Sequence, residues 1–230
     1  MKPVLEVDNL NYAYDSARRV LSDITFSVGE GECVGIVGAN GAGKSTLLWC
    51  LLGLLKATGS VRFFGEKLGK QTVGRIGVVF QNPEDQLFMP RLLDDILLPL
   101  LNRGLLPQLA HERALAALDK ASLREVYERP AAQLSLGERK RAAIAAALAG
   151  APELLLLDEP TAELDGRSVR RVAESLRTLT MSRLIASHDL EFLRGLCHRT
   201  LVLAGGKIIA QGASQEILGQ RVLLEQAGLI

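Results

Sequence analysis

Apolar and polar residues alternate in "VLEV" (4–7) and "ITFSV" (24–28), the period-two pattern of strands with one buried face. "ECVGIVG" (32–38) is instead a nearly continuous apolar run ending in glycine. A helix-like stretch from Lys44 to Leu55 follows it at once, and strand, glycine loop, helix is how a parallel α/β unit begins. "GRIGVVF" (74–80) reads as another strand, while "ELLLLDE" (153–159) and "RLIASHD" (183–189) lack alternation, as strands buried on both faces do. Between the last two, Val169, Val172, Ala173, Leu176 and Leu179 recur at helical spacing. "TLVLAGGKIIAQG" (200–212) predicts a strand pair turned at Gly205–Gly206.

Residues 82–150 break this rhythm. They hold no clear buried strand; Leu115, Leu118 and Ala121 form one amphipathic face, and an alanine-rich helix follows Ser135. The expected architecture is a single domain, with an α/β core over 1–81 and 151–230 and an α-helical insertion over about 82–150.

Composition narrows the class. With 230 residues, 48% hydrophobic and 23% charged, the chain is globular rather than disordered. A net charge of +1 gives no electrostatic case for nucleic acid as the partner. Cys33, Cys50 and Cys197 are odd in number, widely spaced and in apolar contexts, which predicts buried thiols in a reducing compartment. The N-terminus has no signal-peptide run. "TLLWCLLGLL" (46–55), the most apolar stretch, is too short to cross a bilayer, so any work at a membrane needs other subunits to supply the membrane part.

"GANGAGKST" (38–46) matches the G-x-x-x-x-G-K-[ST] pattern between a predicted strand and a predicted helix. Its glycines let successive backbone N–H groups point at phosphate oxygens, and the helix N-terminus adds positive potential. Gly38, Asn40, Gly41, Ala42, Gly43 and Thr46 form the cradle; Lys44 reaches the β- and γ-phosphates and the Ser45 hydroxyl binds Mg²⁺. Asp158, at the end of a buried strand, is placed to hold Mg²⁺ directly or through water, and Glu159 beside it to polarise an attacking water. Gln81 ends the strand 74–80, where its neutral amide suits Mg²⁺ or its water. His188 ends the strand 183–187 and can reach a γ-phosphate or the attacking water.

"QLSLGERKRAAIAAALAG" (133–150) opens with the S-x-x-E capping box of Ser135 and Glu138, and Gly150 and Pro152 close its far end. Gly137 costs roughly 1 kcal/mol against alanine in a helix interior, which makes sense if something approaches the backbone closely. A hydroxyl, bare N–H groups and a helix tip describe an anion site.

These elements, in this order, with "LLLLDEP", "AELD" (162–165) and His188, resemble the ATP-binding cassette of ABC transporters over essentially the whole chain. The resemblance implies a P-loop NTPase core with a mostly parallel sheet, an N-terminal antiparallel β subdomain and an inserted helical subdomain. It implies head-to-tail pairing with a second ATPase subunit, most simply an identical copy, around two ATP. Ser135, Gly137 and Glu138 then touch nucleotide held by the partner, and Asp165 couples the two sites. Tyr14 in "NYAYD" matches the adenine-stacking aromatic, with Tyr12 as its rival. Leu136 and Glu138 depart from the usual L-S-G-G-Q. Glu138 puts negative charge near a phosphate and should lower affinity unless the capping box or Arg139 holds it away.

"VVFQNPEDQLFMP" (78–90) further resembles the ATPases of energy-coupling-factor (ECF) importers, in particular the cobalt/nickel group. That implies a transmembrane coupling subunit docked on the segment after Gln81, a separate substrate-binding membrane subunit, and a cytoplasmic protein held at the inner face of the membrane. Leu87, Phe88 and Met89 are the apolar cluster expected at that interface. The cargo, whether cobalt, nickel or a vitamin such as biotin, is not written in these residues. A soluble ABC ATPase of DNA maintenance or translation generally carries a coiled-coil insert or two cassettes, absent here. A phosphotransferase needs no "LSLGE".

Overall fold

The computed structural model describes residues 2–15 and 19–230. Along the chain, β1 (Pro3–Ala13), β2 (Arg19–Gly29) and β3 (Cys33–Val37) lead into α1 (Lys44–Leu51), β4 (Thr58–Phe63), the single turn α2 (Lys70–Val73) and β5 (Ile76–Val79). Next come α3 (Leu92–Asn102), α4 (Pro107–Lys120) and α5 (Leu136–Ala149), then β6 (Leu154–Asp158), α6 (Gly166–Arg177), β7 (Ser182–Ala186) and α7 (Leu190–Leu196). The chain closes with β8 (Arg199–Ala204), β9 (Lys207–Ala213) and the short α8 (Ser214–Ile217) and α9 (Arg221–Gln226).

Two compact units result: residues 1–73 with 180–230, and residues 74–179. The second is wider than the helical stretch 82–150. The reason is that β5 and β6 pair in parallel, Ile76 opposite Leu154 through Val79 opposite Leu157, and α5 packs on β5. The strands flanking the insertion therefore belong to the same compact body as its helices.

In the first unit, β2, β1 and β4 form an antiparallel sheet and β7, β3, β8 and β9 lie side by side. β3 is parallel to β7 and β8, and β9 is antiparallel to β8. All five residues of β3 and of β7 are buried, which is why their sequences do not alternate. In β2, Ile24, Phe26 and Val28 point inward between exposed neighbours, as alternation predicts. The β8–β9 turn is Gly205–Gly206, both with positive φ (55° and 74°), the type I′ geometry that matches strand twist. β4 carries only Val61 and Phe63 as apolar residues, too few to alternate visibly, although Phe63 is fully buried. The helix expected over Lys44–Leu55 stops at Leu51, where Leu52 caps it and Gly53 turns the chain with φ 69°.

In the second unit, α4 packs on α3 and α5. Ala110, Ala114 and Leu118 make the buried stripe of α4, while Leu115 and Ala121 are half-buried. Arg141 donates to the Ala121 carbonyl (3.0 Å), closing the C-terminal end of α4 from α5. All three cysteines are buried free thiols.

Candidate nucleotide-binding site

The first unit supplies the phosphate loop. β3 ends at Val37, residues 38–43 turn, and α1 begins at Lys44. Gly43 is the N-cap, with φ 105°, a conformation that any side chain would strain. Because the N-cap has no side chain, none of the first-turn N–H groups is taken by a capping oxygen. Lys44 is buried, and its Nζ donates to the Gly38 carbonyl (2.8 Å) and the Ala39 carbonyl (3.3 Å), arching over the loop. Asn40 and Gly41 are exposed at the loop's tip; Ala42 and Ser45 are half-buried and Thr46 is buried.

Tyr14 stands beside this helix: its hydroxyl lies 3.4 Å from Thr46 Oγ1. The Tyr12 ring meets it edge-on, centroids 5.0 Å apart at 84°. Tyr14 is 53% exposed and Tyr12 half-buried, so the open aromatic face next to the loop is that of Tyr14.

His188 occupies the turn after β7. Ser187 N donates to Ile36 O (3.0 Å), Asp189 N to Ser187 Oγ (3.1 Å), and Asp189 caps α7 through Phe192 N (3.0 Å). These bonds brace the turn at the carboxyl ends of β3 and β7, the end from which the phosphate loop also leaves. The His188 side chain is exposed there.

The second unit carries the acids and the serine helix. Asp158 ends β6 and Glu159 follows; both are buried. Glu159 has φ 44°, a left-handed backbone that costs a non-glycine residue about 1–2 kcal/mol. Its carbonyl accepts from Ala162 N (3.1 Å) and from Lys140 Nζ (3.1 Å). The same Nζ donates to the carbonyl of Gln81 (2.6 Å), which lies exposed two residues past β5.

The α5 tip is built as the spacing predicts. Glu138 N donates to Ser135 Oγ (3.4 Å), and Glu138 Oε2 accepts from Ser135 N (2.8 Å) and Ser135 Oγ (2.7 Å). The Ser135 side-chain and backbone hydrogen bonds hold the Glu138 carboxyl below the usual range, with help from Arg141 and Arg129. Arg139 pairs with Glu84. At Gly137 a Cβ would lie 2.9 Å from Ser168 Oγ, so Ser168 would have to shift to admit a side chain there. Asp165 caps α6 by accepting from Ser168 N (2.8 Å). Ser168 thus links Asp165 to the α5 tip.

Sequence patterns passed over three residues that shape these surfaces. Lys140 shares a helical face with the buried Ala143, Ile144 and Ala147, a position that marks a buried lysine. Gln86 accepts from Phe80 N (3.4 Å) and donates to Ala143 O (3.0 Å), tying the segment after Gln81 to α5. Asp95 is buried, and its Oδ1 accepts from Phe88 N (2.9 Å) and Met89 N (3.0 Å); desolvation pushes its carboxyl up. The apolar cluster after Gln81 is consequently split. Leu87 is buried, Met89 half-buried, and Phe88 projects at 71% exposure.

The family model described as ABC transporter matches residues 21–162. This chain belongs to the ABC transporter family. Its activity is the ATP hydrolysis that powers transport, and its fold is the mixed-sheet P-loop cassette that the sequence implied. Among curated relatives, the cassette is 37% identical to the cobalt import ATP-binding protein CbiO of Rhodobacter capsulatus over 100% of this chain and 85% of the relative. It is 36% identical to the energy-coupling factor transporter ATP-binding protein EcfA of Methanosphaera stadtmanae, over 100% of this chain and 86% of the relative. Among solved structures, CbiO1 of Clostridium perfringens, part of the ABC transporter complex CbiONQ, aligns with a TM-score of 0.85 at 31% identity, covering 100% of this chain and 96% of that one. A dimeric post-hydrolysis ATP-binding cassette, MJ0796, bound to ADP and phosphate, aligns at 0.80 and 26% identity, covering 91% and 98%. Among the described residues, no helix is long and apolar enough to cross a membrane.

Proposed function

We propose that this cassette is the ATPase of an ECF-type importer, carrying a transition-metal ion such as cobalt or nickel, or a vitamin. It works at the inner face of the membrane through a coupling subunit and a substrate-binding subunit. The observation that carries this reading is the segment after Gln81, where Asp95 pins the backbone of Phe88 and Met89 while the Phe88 ring stands in solvent. A large apolar side chain held outward by a buried carboxylate is poor packing for an isolated protein and good packing for an interface. The likeness to CbiO and EcfA supports the transporter type.

In this reading two copies pack head to tail around two ATP. Lys44 and the N–H groups of 38–46 grip the phosphates, Tyr14 stacks on adenine, and the partner's copy of the α5 tip, with Ser135 and Gly137, clamps the γ-phosphate. Glu159 accepts a proton from the attacking water, and His188 and Gln81 orient that water. Asp165, at the cap of α6, relays the state of one site to the other. The Glu138 carboxylate beside Ser135 keeps the clamp functional at lower affinity. The dimeric, ADP- and phosphate-bound relative supports the pairing. Ser45, Asp158 and Gln81 offer a hydroxyl, a buried carboxylate and an amide carbonyl, the all-oxygen donor set that suits Mg²⁺. What a bound Mg²⁺ supplies is neutralisation of charge on the β- and γ-phosphate oxygens.

Co-expression with candidate membrane subunits tests the reading. The wild-type chain is expected to co-purify with its coupling subunit in detergent, and Phe88→Asp to lose it at unchanged ATP affinity. The reconstituted complex then takes up labelled cobalt, nickel or biotin. Retention of the complex by Phe88→Asp would refute the docking surface.

A further inference from the structure

Lys140 is 2% exposed, in the second turn of α5. A buried ammonium carries a large desolvation cost unless it is fully engaged. Here it donates to two carbonyls outside the regular strands and helices, those of Gln81 (2.6 Å) and Glu159 (3.1 Å), the second of which also accepts from Ala162 N (3.1 Å). The first belongs to the segment leading to Phe88, the second to the proposed general base. The backbone of Glu159 is held in the left-handed region, where the residue would not rest unaided. Burial lowers the Lys140 pKa, and the Glu163, Glu159 and Asp158 carboxylates around it favour the charged form.

We propose that Lys140 is a positioning residue for ATP hydrolysis: its ammonium bolts the backbone of Glu159 and of Gln81 to the serine helix. A movement of the α5 tip is thereby passed to the base and to the segment after Gln81 through one side chain. A neutral side chain of similar length fills the space but holds neither carbonyl. Each carbonyl would then lose that charged donor, and the Glu159 backbone one of the bonds that hold it in the left-handed region. The proposal rests on Glu159 as the base.

The test is steady-state ATPase kinetics of the purified full-length chain as wild type, Lys140→Met, Lys140→Gln and Glu159→Gln, each with a thermal melt. Lys140→Met is expected to lose about tenfold to hundredfold in kcat, the cost of a small misplacement of a catalytic group, with KM for ATP within about twofold. Lys140→Gln, which keeps an N–H donor, is expected to fall between Met and wild type. If the methionine variant does not fold, the glutamine variant decides: kcat lowered at constant KM and melting temperature supports the role. Wild-type kcat in a folded Lys140→Met or Lys140→Gln, or kcat and KM worsening together, overturns it. A slow Glu159→Gln beside a fast Lys140→Met removes Lys140 alone. A Glu159→Gln that turns over at the wild-type rate removes the base and this proposal with it.

Discussion

Glu159→Gln is expected to cut ATP turnover about a hundredfold to ten-thousandfold, the usual worth of a positioned general base, and to leave ATP affinity within a few-fold of wild type. The size of the effect follows from what the substitution spares. Glutamine keeps the length and shape of the side chain, and the carbonyl bonds to Ala162 N and Lys140 Nζ remain. The proton acceptor is lost, together with a negative charge that favours the Lys140 ammonium. Since hydrolysis is what reopens a nucleotide-closed pair in this account, the variant should also accumulate as an ATP-bound dimer, read by size-exclusion chromatography or sedimentation with and without ATP. Wild-type turnover in this variant would take Glu159 out of the chemistry.

Lys44→Ala is expected to act at the earlier step. A hydrogen bond to a charged group is worth about 1.5–3 kcal/mol, so losing the ammonium should weaken ATP binding about tenfold to hundredfold. Turnover should fall further, because the same cation meets the charge that develops as the γ-phosphate leaves. The loop loses the two bonds from Lys44 Nζ to the Gly38 and Ala39 carbonyls, while Gly43 and the start of α1 still set its turn, so a modest fall in melting temperature is expected beside the lost affinity. Calorimetric titration with a non-hydrolysable ATP analogue, alongside a thermal melt, separates lost grip from lost fold. An unchanged dissociation constant would mean that the phosphates bind elsewhere.

What the sequence made legible follows physical rules of short range. A phosphate loop needs glycine, lysine and hydroxyl residues at fixed spacing, so 38–46 could be read directly. A strand covered on both faces needs an unbroken apolar run, so β3, β6 and β7 stood out. The Ser135–Glu138 box spans three residues and was visible for the same reason. What stayed hidden depends on distant partners. At Gly137 a second constraint was invisible in sequence: a Cβ there would crowd Ser168 on another helix. Arg139 looked like a guard for Glu138, and it pairs with Glu84, 55 residues away in sequence. Leu87, Phe88 and Met89 looked alike, yet Leu87 is buried and Phe88 exposed, with the backbone of Phe88 and Met89 tied to Asp95 on the next helix. β4 had too few apolar positions to announce itself; its place comes from pairing with β1.

The central claim, that one copy's serine helix closes on the nucleotide held by another, is tested most directly by a cross-link. Gln133 and Asn40 are exposed, one just before the α5 tip and the other at the tip of the phosphate loop. With Gln133→Cys and Asn40→Cys in a Glu159→Gln background, a short bis-maleimide should give a covalent dimer when ATP is present and little without it. Monomer under both conditions, from a preparation whose wild-type parent hydrolyses ATP at full rate as a monomer, would contradict the composite site.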